Sequence, residues 1–165
     1  MKKMIMMFLM MVGVMAHASS ADYNVRDYGA KGDGKTLDHQ AINAAIDSCV
    51  AHGGGRVVVP AGTYLCGSIR MKSHVELHLS AGAKILAAPA SMKAYDEAEH
   101  WEGPAYQDGG HTYFKNSLIY AIGQEHVSIT GRGMIDGQGL TKKDTEKGGV
   151  VNGGNIGTGD KAIAF

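Results

Sequence analysis

The sequence predicts an all-β protein, a solenoid of parallel strands (a β-helix), with one α-helix that caps its N-terminal end. Three observations support this prediction. The chain contains one amphipathic helical segment and a series of short segments in which apolar and polar residues alternate. In addition, a short sequence motif occurs twice, 52 residues apart. Stacked coils bury one face of each strand, and a single helix can cover the apolar cross-section of the first coil.

The capping helix is predicted at about residues 38–51. Its apolar residues recur at helical spacing and form one stripe, which consists of Ile42, Ala45, Ile46, Cys49 and Val50. Asp38 precedes the stripe, where its carboxylate can accept a free N–H group of the first turn. The residues Gly53, Gly54 and Gly55 end the helix, because glycine adopts a positive φ without a Cβ clash.

Short strands are predicted at Tyr23–Val25, Arg56–Val59, Ser68–Met71, Val75–Leu79 and Ala83–Ala87. The stretch from Gly29 to Gly34 lacks the spacing of a phosphate-binding loop, so we interpret it as a tight turn that leads into the helix. The segment His74–Leu77 recurs at His126–Ile129. Each copy is followed by a glycine and an apolar pair, Ile85-Leu86 or Met134-Ile135, which is typical of successive coils.

The N-terminus has the features of a secretory signal peptide over residues 1–18. Lys2 and Lys3 form a positive region, Met4–Met15 is apolar, and Ala16-His17-Ala18 is typical of a cleavage site. The alternative, a membrane anchor, is disfavoured because the apolar run is short for a bilayer, and no other stretch of the chain is suited to span one. We therefore expect residues 19–165 to be secreted or periplasmic after cleavage near Ala18, as the N-terminal portion of one β-helix domain.

Charge and ligand chemistry exclude several classes of function. The chain has 16 basic and 16 acidic residues, so removal of a leader with two lysines leaves 14 and 16. This balance provides no basic region that binds nucleic acid. The histidines and cysteines do not have zinc spacing, and we predict no metal ion, no cofactor and no membrane partner. We expect a monomer.

Two interpretations remain open for Cys49 and Cys66, the only cysteines of the chain. Export would permit a disulfide between them. Alternatively, Cys49 packs as a small apolar residue within the stripe of the helix.

A long insertion at about residues 88–116 interrupts the repeat and is rich in aromatic residues, acids and histidine. Insertions on a rigid scaffold often carry binding residues, so Trp101 is a candidate for stacking on a sugar. The alternative, which we favour, is that Trp101 and the tyrosines anchor the insertion to the outside of the solenoid. Asp136 is a candidate catalytic carboxylate, but its glycine-rich surroundings favour a turn in which it accepts backbone N–H groups.

The last part of the chain is predicted to be irregular at first and then to form a strand. Residues 141–159 are polar and glycine-rich, which indicates a mobile loop, and residues 161–165 begin another apolar alternation. Because this alternation stops at Phe165 without a cap, we expect the chain to be a fragment, truncated at the C-terminal end of the solenoid.

Three segments carry a family resemblance: NVRDYGAKGDGKT, GGGRVVVPAGTYLCGSI and LIYAIGQEHVSITGRGMIDGQG. They resemble the N-terminal part of the pectate lyase-like β-helix superfamily and look most like family 28 glycoside hydrolases, the polygalacturonases and rhamnogalacturonases. Trp101-Glu102-Gly103, which precedes Leu118–Ala121, also matches this family. The resemblance implies a right-handed parallel β-helix, a polysaccharide substrate such as pectin, and hydrolysis of α-galacturonosyl bonds with inversion by two carboxylates.

The catalytic motifs of the resembling family are Asn-Thr-Asp, Asp-Asp, His-Gly and Arg-x-Lys, and none occurs here in the expected context. His52-Gly53 is a His-Gly pair, but it ends the helix. We therefore name no catalytic residue and expect this chain alone to be inactive. The alternatives are a polysaccharide lyase or epimerase, of which lyases often use Ca²⁺, and a non-catalytic β-helical surface or carbohydrate-binding protein.

Overall fold

The computed structural model describes residues 22–98, 114–138, 150–151, 154–155 and 162–165, and within them the chain winds through three parallel sheets. Sheet A contains β1 (Asp22–Asn24), β3 (Gly55–Val59), β6 (Val75–Leu79) and β9 (Ser128–Gly131). Sheet B contains β2 (Asp33–Leu37), β4 (Gly62–Cys66), β7 (Ala83–Ala87) and β10 (Met134–Asp136). Sheet C contains β5 (Ile69–Arg70), β8 (Ile119–Tyr120) and β13 (Ile163–Ala164).

Each coil passes from sheet A to sheet B to sheet C, and the next coil repeats this order. Strand β3 pairs with β6, β4 with β7 and β5 with β8, all in parallel. The third coil continues through β9, β10 and β13, again in parallel. The fold is therefore the predicted right-handed parallel β-helix. Within the described ranges, no helix combines the length and hydropathy that crossing a bilayer requires.

Alternating residues of the strands point inward and form the core. In β6 and β7 the first, third and fifth residues are buried, while Glu76, His78 and Lys84 face outward. Val57 of β3 and Leu77 of β6 are paired in register and have no solvent exposure. The alternation that was predicted for Val75–Leu79 is confirmed along the whole of β6. Ala83–Ala87, which was predicted as a short apolar strand, has the predicted ends and the same burial pattern.

The helix α1 (His39–Ala51) covers the first coil, as predicted. Its buried face consists of Ile42, Ala45, Ile46 and Cys49. Val50 does not belong to this face, because it lies at the edge of the stripe in the last turn and is 37% exposed. The amide of Asn43 replaces a missing strand beside β5, since Nδ2 donates to the Ser68 carbonyl and Oδ1 accepts from the Arg70 N–H.

The ends of the helix agree with the prediction at the C-terminus and differ at the N-terminus. Gly53 and Gly54 follow the last turn with φ of 92° and 96°. Asp38 occupies the N-cap position, but its carboxylate accepts no N–H group of the helix. Instead it accepts the backbone N–H groups of Lys31 and Gly32, at 2.7 and 2.9 Å. The backbone of Asp38 is helical rather than extended, which turns the side chain toward the preceding loop.

The N-terminal segment contains more regular structure than the sequence predicted. The first strand ends at Asn24, because Val25 begins a 3-10 turn, Val25–Tyr28. The predicted turn at Gly29–Gly34 is correct only in its first four residues, since Asp33 already opens β2, which pairs with β4 through an irregular register.

The repeat of 52 residues is confirmed in sheet A, where Glu76 pairs with Ser128. In sheet B the predicted alignment is wrong by one residue, because Ile135 rather than Met134 lies opposite Ile85. The turn between the two sheets is two residues shorter in the third coil, so the offset between paired residues falls from 52 in sheet A to 50 in sheet B.

The last predicted strand is confirmed, since β13 pairs in parallel with β8. Within the predicted loop at residues 141–159, the structure shows two short strands, β11 (Val150–Val151) and β12 (Gly154–Asn155), which pair antiparallel. The other residues of that loop lie outside the described part of the chain, and so do residues 1–21, with the predicted signal peptide.

Candidate functional site

The connection from sheet B to sheet C is short in the first coil and long in the next two. Only Gly67 and Ser68 separate β4 from β5, whereas residues 88–118 separate β7 from β8 and residues 137–162 separate β10 from β13. Because the coils stack in register, both insertions leave the solenoid at one corner. Insertions of repeat proteins often collect on the binding face, so this B–C corner is the candidate functional site.

A polar network ties the first insertion to this corner. Arg70 on β5 forms two hydrogen bonds to Asp96, from Nε to Oδ2 at 2.7 Å and from Nη2 to Oδ1 at 2.5 Å. The Tyr120 hydroxyl on β8 donates to the same Oδ2 at 2.8 Å. The Asp96 backbone N–H donates to Oγ of Ser68 at 3.0 Å. Asp96 therefore joins the insertion to two successive strands of sheet C through a bidentate ion pair.

The electrostatics of the corner keep its groups in defined protonation states. Burial opposes ionisation of Asp96, but hydrogen bonds from Arg70 and Tyr120 outweigh it and lower the pKa of this carboxyl. Burial, together with the hydrogen bond to Asp96, raises the pKa of Tyr120 to about 12. Burial also lowers the pKa of His39, in the first turn of α1 near Asp96. At neutral pH, a paired carboxylate thus lies beside a phenol and a neutral imidazole, which are groups that hydrogen-bond sugar hydroxyls.

Asp136, the carboxylate considered from sequence as catalytic, is paired in sheet B. Its Oδ2 accepts from Nζ of Lys84 at 2.8 Å, and its Oδ1 accepts from the Gln138 backbone N–H at 2.9 Å. These bonds lower the pKa of Asp136. The predicted local turn is therefore present, and an ion pair across two coils reinforces it.

A general acid in glycoside hydrolysis needs a raised pKa. The described carboxyls with a clear shift all have a lowered pKa, and they are Asp22, Asp33, Asp96 and Asp136. Hydrogen bonds and ion pairs stabilise the ionised form of each. In the part of the chain that the structure describes, no group of three His, Cys, Asp or Glu side chains is arranged to hold a metal ion.

Other predicted residues have separate outcomes. Trp101 lies outside the described residues. Tyr95 packs against the core and donates its hydroxyl to the Ala88 carbonyl at 2.8 Å, so it anchors the start of the insertion to the solenoid. His52 is the C-cap of α1. Cys49 and Cys66 are both buried free thiols, so the interpretation of Cys49 as a packed apolar residue applies.

Sequence reasoning missed the network at the B–C corner. Arg70 and Tyr120 belong to two-residue strands, and Asp96 lies in an insertion without periodicity. The only available signal was the acidic and aromatic composition of the insertion, which does not identify partners.

Comparison with known proteins places the chain in a family. Residues 23–152 match the family described as rhamnogalacturonase A/epimerase, pectate lyase-like. An exo-poly-alpha-D-galacturonosidase of Dickeya chrysanthemi is 35% identical over 136 residues, which cover 78% of this chain and 21% of that protein. The structure of a family 28 exopolygalacturonase of Yersinia enterocolitica has a TM-score of 0.57 and 40% identity, covering 70% of this chain and 20% of its own.

A shorter similarity concerns a mannuronan C5-epimerase of Azotobacter vinelandii, which is 47% identical over 64 residues, 34% of this chain and 6% of that protein. The chain spans about a fifth of the length of the first relative. Because the family match extends over most of the chain, the protein belongs to the rhamnogalacturonase A/epimerase family of pectate lyase-like β-helix proteins.

Proposed function

We propose that this chain is the N-terminal part of a secreted enzyme that hydrolyses α-galacturonosyl bonds of pectin-like polysaccharides. The observation that carries the proposal is the B–C corner, where two insertions leave successive coils of a scaffold shared with exopolygalacturonases. A long polymer fits a surface formed by stacked coils, because such a surface extends along the axis of the solenoid.

The chemistry proposed for the whole protein is inversion by two carboxylates, one that protonates the leaving oxygen and one that activates water. The lowered pKa of both Asp96 and Asp136 makes neither suitable as the acid. In our proposal, the described part of the chain holds and shapes the corner, and the reacting carboxylates lie in the part of the whole protein that this chain does not include.

An assay of polygalacturonate hydrolysis tests this proposal. It measures the reducing ends that are released by the 165-residue chain and by the whole gene product. We expect none from the chain and hydrolysis from the whole protein, with inverted anomeric configuration by NMR. Turnover by the 165-residue chain would contradict the proposal that this chain lacks the reacting carboxylates. Purified secreted protein that begins at Ser19 would support export, whereas an intact Met1 on cell-associated protein would count against it.

The second candidate is a lyase or epimerase, and the similarity to the mannuronan C5-epimerase favours it. Such enzymes remove a proton from the sugar ring instead of adding water to the glycosidic bond. Incubation of the whole protein with polyuronate in D₂O separates the two. Deuterium at C5 or unsaturated products that absorb in the ultraviolet would support this candidate, and release of saturated galacturonate would exclude it.

A further inference from the structure

Sheet C presents two polar side chains next to each other on its outer face. Ile69 of β5 and Ile119 of β8 are paired in register and have no solvent exposure. The next pair, Arg70 and Tyr120, therefore points outward, because successive side chains of a strand alternate between its two faces. The Arg70 side chain is 54% exposed, and Tyr120 is half-buried. The face thus offers a guanidinium beside a phenol.

Asp96 determines which hydrogen-bonding groups of this pair remain for a ligand. Its Oδ2 accepts from Nε of Arg70 at 2.7 Å and from the Tyr120 hydroxyl at 2.8 Å, and its Oδ1 accepts from Nη2 of Arg70. The Tyr120 proton is directed to this carboxylate, so the phenol oxygen can only accept a further hydrogen bond. Nη1 of Arg70 has no hydrogen-bond partner among the described residues, so its N–H groups can donate to a ligand.

The charges of this face are already paired. Arg70 and Asp96 neutralise each other, and Asp96 occupies one edge of the guanidinium in a bidentate pair. Lys72, the next cation along the chain, is held by Asp47 of α1 at 2.6 Å. Ile122, two residues after Tyr120, is apolar and 46% exposed. A ligand carboxylate would have to compete with Asp96 for Arg70, whereas an uncharged hydroxyl group would not.

A donor beside an acceptor is the complement of two neighbouring hydroxyl groups on a sugar ring. One hydroxyl can accept from Nη1 of Arg70 while the other donates to the Tyr120 oxygen. The hydroxyl groups at C2 and C3 of a galacturonosyl unit form such a pair. Its carboxyl group is attached at C5, away from this pair, so recognition of the hydroxyls does not require a free carboxylate.

We propose that Arg70 and Tyr120 form a sugar subsite on the outer face of sheet C, which recognises the hydroxyl pair of a galacturonosyl unit and not its carboxylate. Asp96 is the positioning residue that fixes the donor and the acceptor. The choice of a galacturonosyl unit rests on the function proposed above, whereas the recognition of a hydroxyl pair rests on the contacts of sheet C. The subsite accepts methyl-esterified units and rejects units that are acetylated on these hydroxyls.

An NMR titration of the 165-residue chain with three oligogalacturonates of equal length tests the proposal. The ligands are the free acid, the methyl ester, and the methyl ester acetylated at C2 and C3. We expect the affinities for the acid and the ester to agree within about 3-fold, because paired surface charges give little net attraction. Acetylation should weaken binding about 10-fold, which corresponds to the loss of two hydrogen bonds.

Tyr120→Phe removes the acceptor and keeps the ring. It should weaken the binding of the acid and of the ester alike, by about 5-fold, because one hydrogen bond is lost. The matched control is Tyr23→Phe on β1 of sheet A, which removes the same atom elsewhere and should leave both affinities unchanged. Circular dichroism confirms that each variant is folded.

Asp96→Asn tests the positioning role, because it leaves the charge of Arg70 unpaired. This variant should prefer the free acid over the ester by about 10-fold, and added salt should reduce the preference. Damage to the structure alone would weaken both ligands equally. The matched control is Asp22→Asn, which releases Arg56 from the same kind of bidentate pair on sheet A and should leave the acid-to-ester ratio unchanged.

Four results would each overturn the proposal. They are a clear preference of the wild-type chain for the free acid, undiminished binding of the acetylated ligand, wild-type affinity in Tyr120→Phe, and no binding of any of the three ligands. These results are independent of turnover. If the whole protein releases no sugar but Tyr120→Phe weakens binding, the proposed hydrolysis fails and the subsite stands. If hydrolysis is found and Tyr120→Phe binds as the wild type does, only the subsite fails.

Discussion

Replacement of Asp38 tests how the capping helix is joined to the first coil. Its carboxylate is almost fully buried and accepts the N–H groups of Lys31 and Gly32 at 2.7 and 2.9 Å. Asparagine retains one acceptor but turns an NH₂ group toward the other N–H, so one hydrogen bond is lost and one donor is left unpaired. A hydrogen bond to a charged group contributes about 1.5–3 kcal/mol, and the bonds are partly buried. We therefore expect Asp38→Asn to lower the free energy of unfolding by about 2–3 kcal/mol.

Two further variants make this prediction specific. Asp47→Asn is the same change on the same helix, but Asp47 forms an exposed pair with Lys72, so we expect a loss below about 1 kcal/mol. Asp38→Ser keeps a good helix cap but is too short to reach both N–H groups, so it should destabilise about as much as Asp38→Asn.

Urea unfolding followed by circular dichroism measures these differences from the shift in midpoint, provided the slope with urea is unchanged. Wild-type stability in Asp38→Ser would show that the residue acts as a helix cap after all. A loss in Asp38→Asn no larger than that in Asp47→Asn would refute the reasoning from burial.

Three other predictions follow from the described contacts. Gly131→Ala would place a Cβ against a backbone carbonyl of β6 at a position where φ is 101°. We therefore expect urea unfolding to show that the free energy of unfolding falls by more than about 3 kcal/mol. At Gly137 an added Cβ meets open space, so Gly137→Ala should leave the stability nearly unchanged. The lowered pKa of Asp96 stabilises the fold above the ordinary carboxyl pKa, near 3.9, and this contribution is lost as the pH falls through the lower native value. Asp96→Asn should therefore lower the free energy of unfolding more at pH 6 than at pH 2.5, which urea unfolding at the two pH values measures. An equal decrease at both pH values would contradict the assigned ion pair. Burial raises the pKa of both Cys49 and Cys66, so a thiol reagent should label neither residue in the native protein. The same reagent should label both cysteines in denaturant without reductant. If it labels neither in denaturant, the two cysteines form a disulfide.

Local sequence patterns were sufficient to predict the elements in which apolar residues mark one buried face of a short segment. Strands β6 and β7 were predicted with their observed ends, because Val75–Leu79 alternates apolar and polar residues and Ala83–Ala87 is a short apolar run after the turn at Gly82. The helix was predicted for the same reason, and only Val50, at the edge of its apolar stripe, was assigned to the wrong side.

The candidate site required contacts between distant residues. Asp96 lies 26 residues after Arg70 and 24 residues before Tyr120, and none of the three has a neighbour in sequence that marks it as a partner. Their meeting depends on an insertion that leaves one coil and returns to the next, which periodicity does not describe.

By itself, the sequence determined the solenoid of short strands and its capping helix, because both depend on which residues are apolar and how they are spaced. The resemblance of three segments to a known superfamily added the parallel, right-handed winding. Only the tertiary structure decided what Asp38 binds, which residue lies opposite Ile85, and that both insertions leave at one corner. The physical reason is that hydrophobic spacing specifies which face of a segment is buried. The register and the polar partners, in contrast, are selected when complete coils stack and buried N–H and carboxylate groups must find each other.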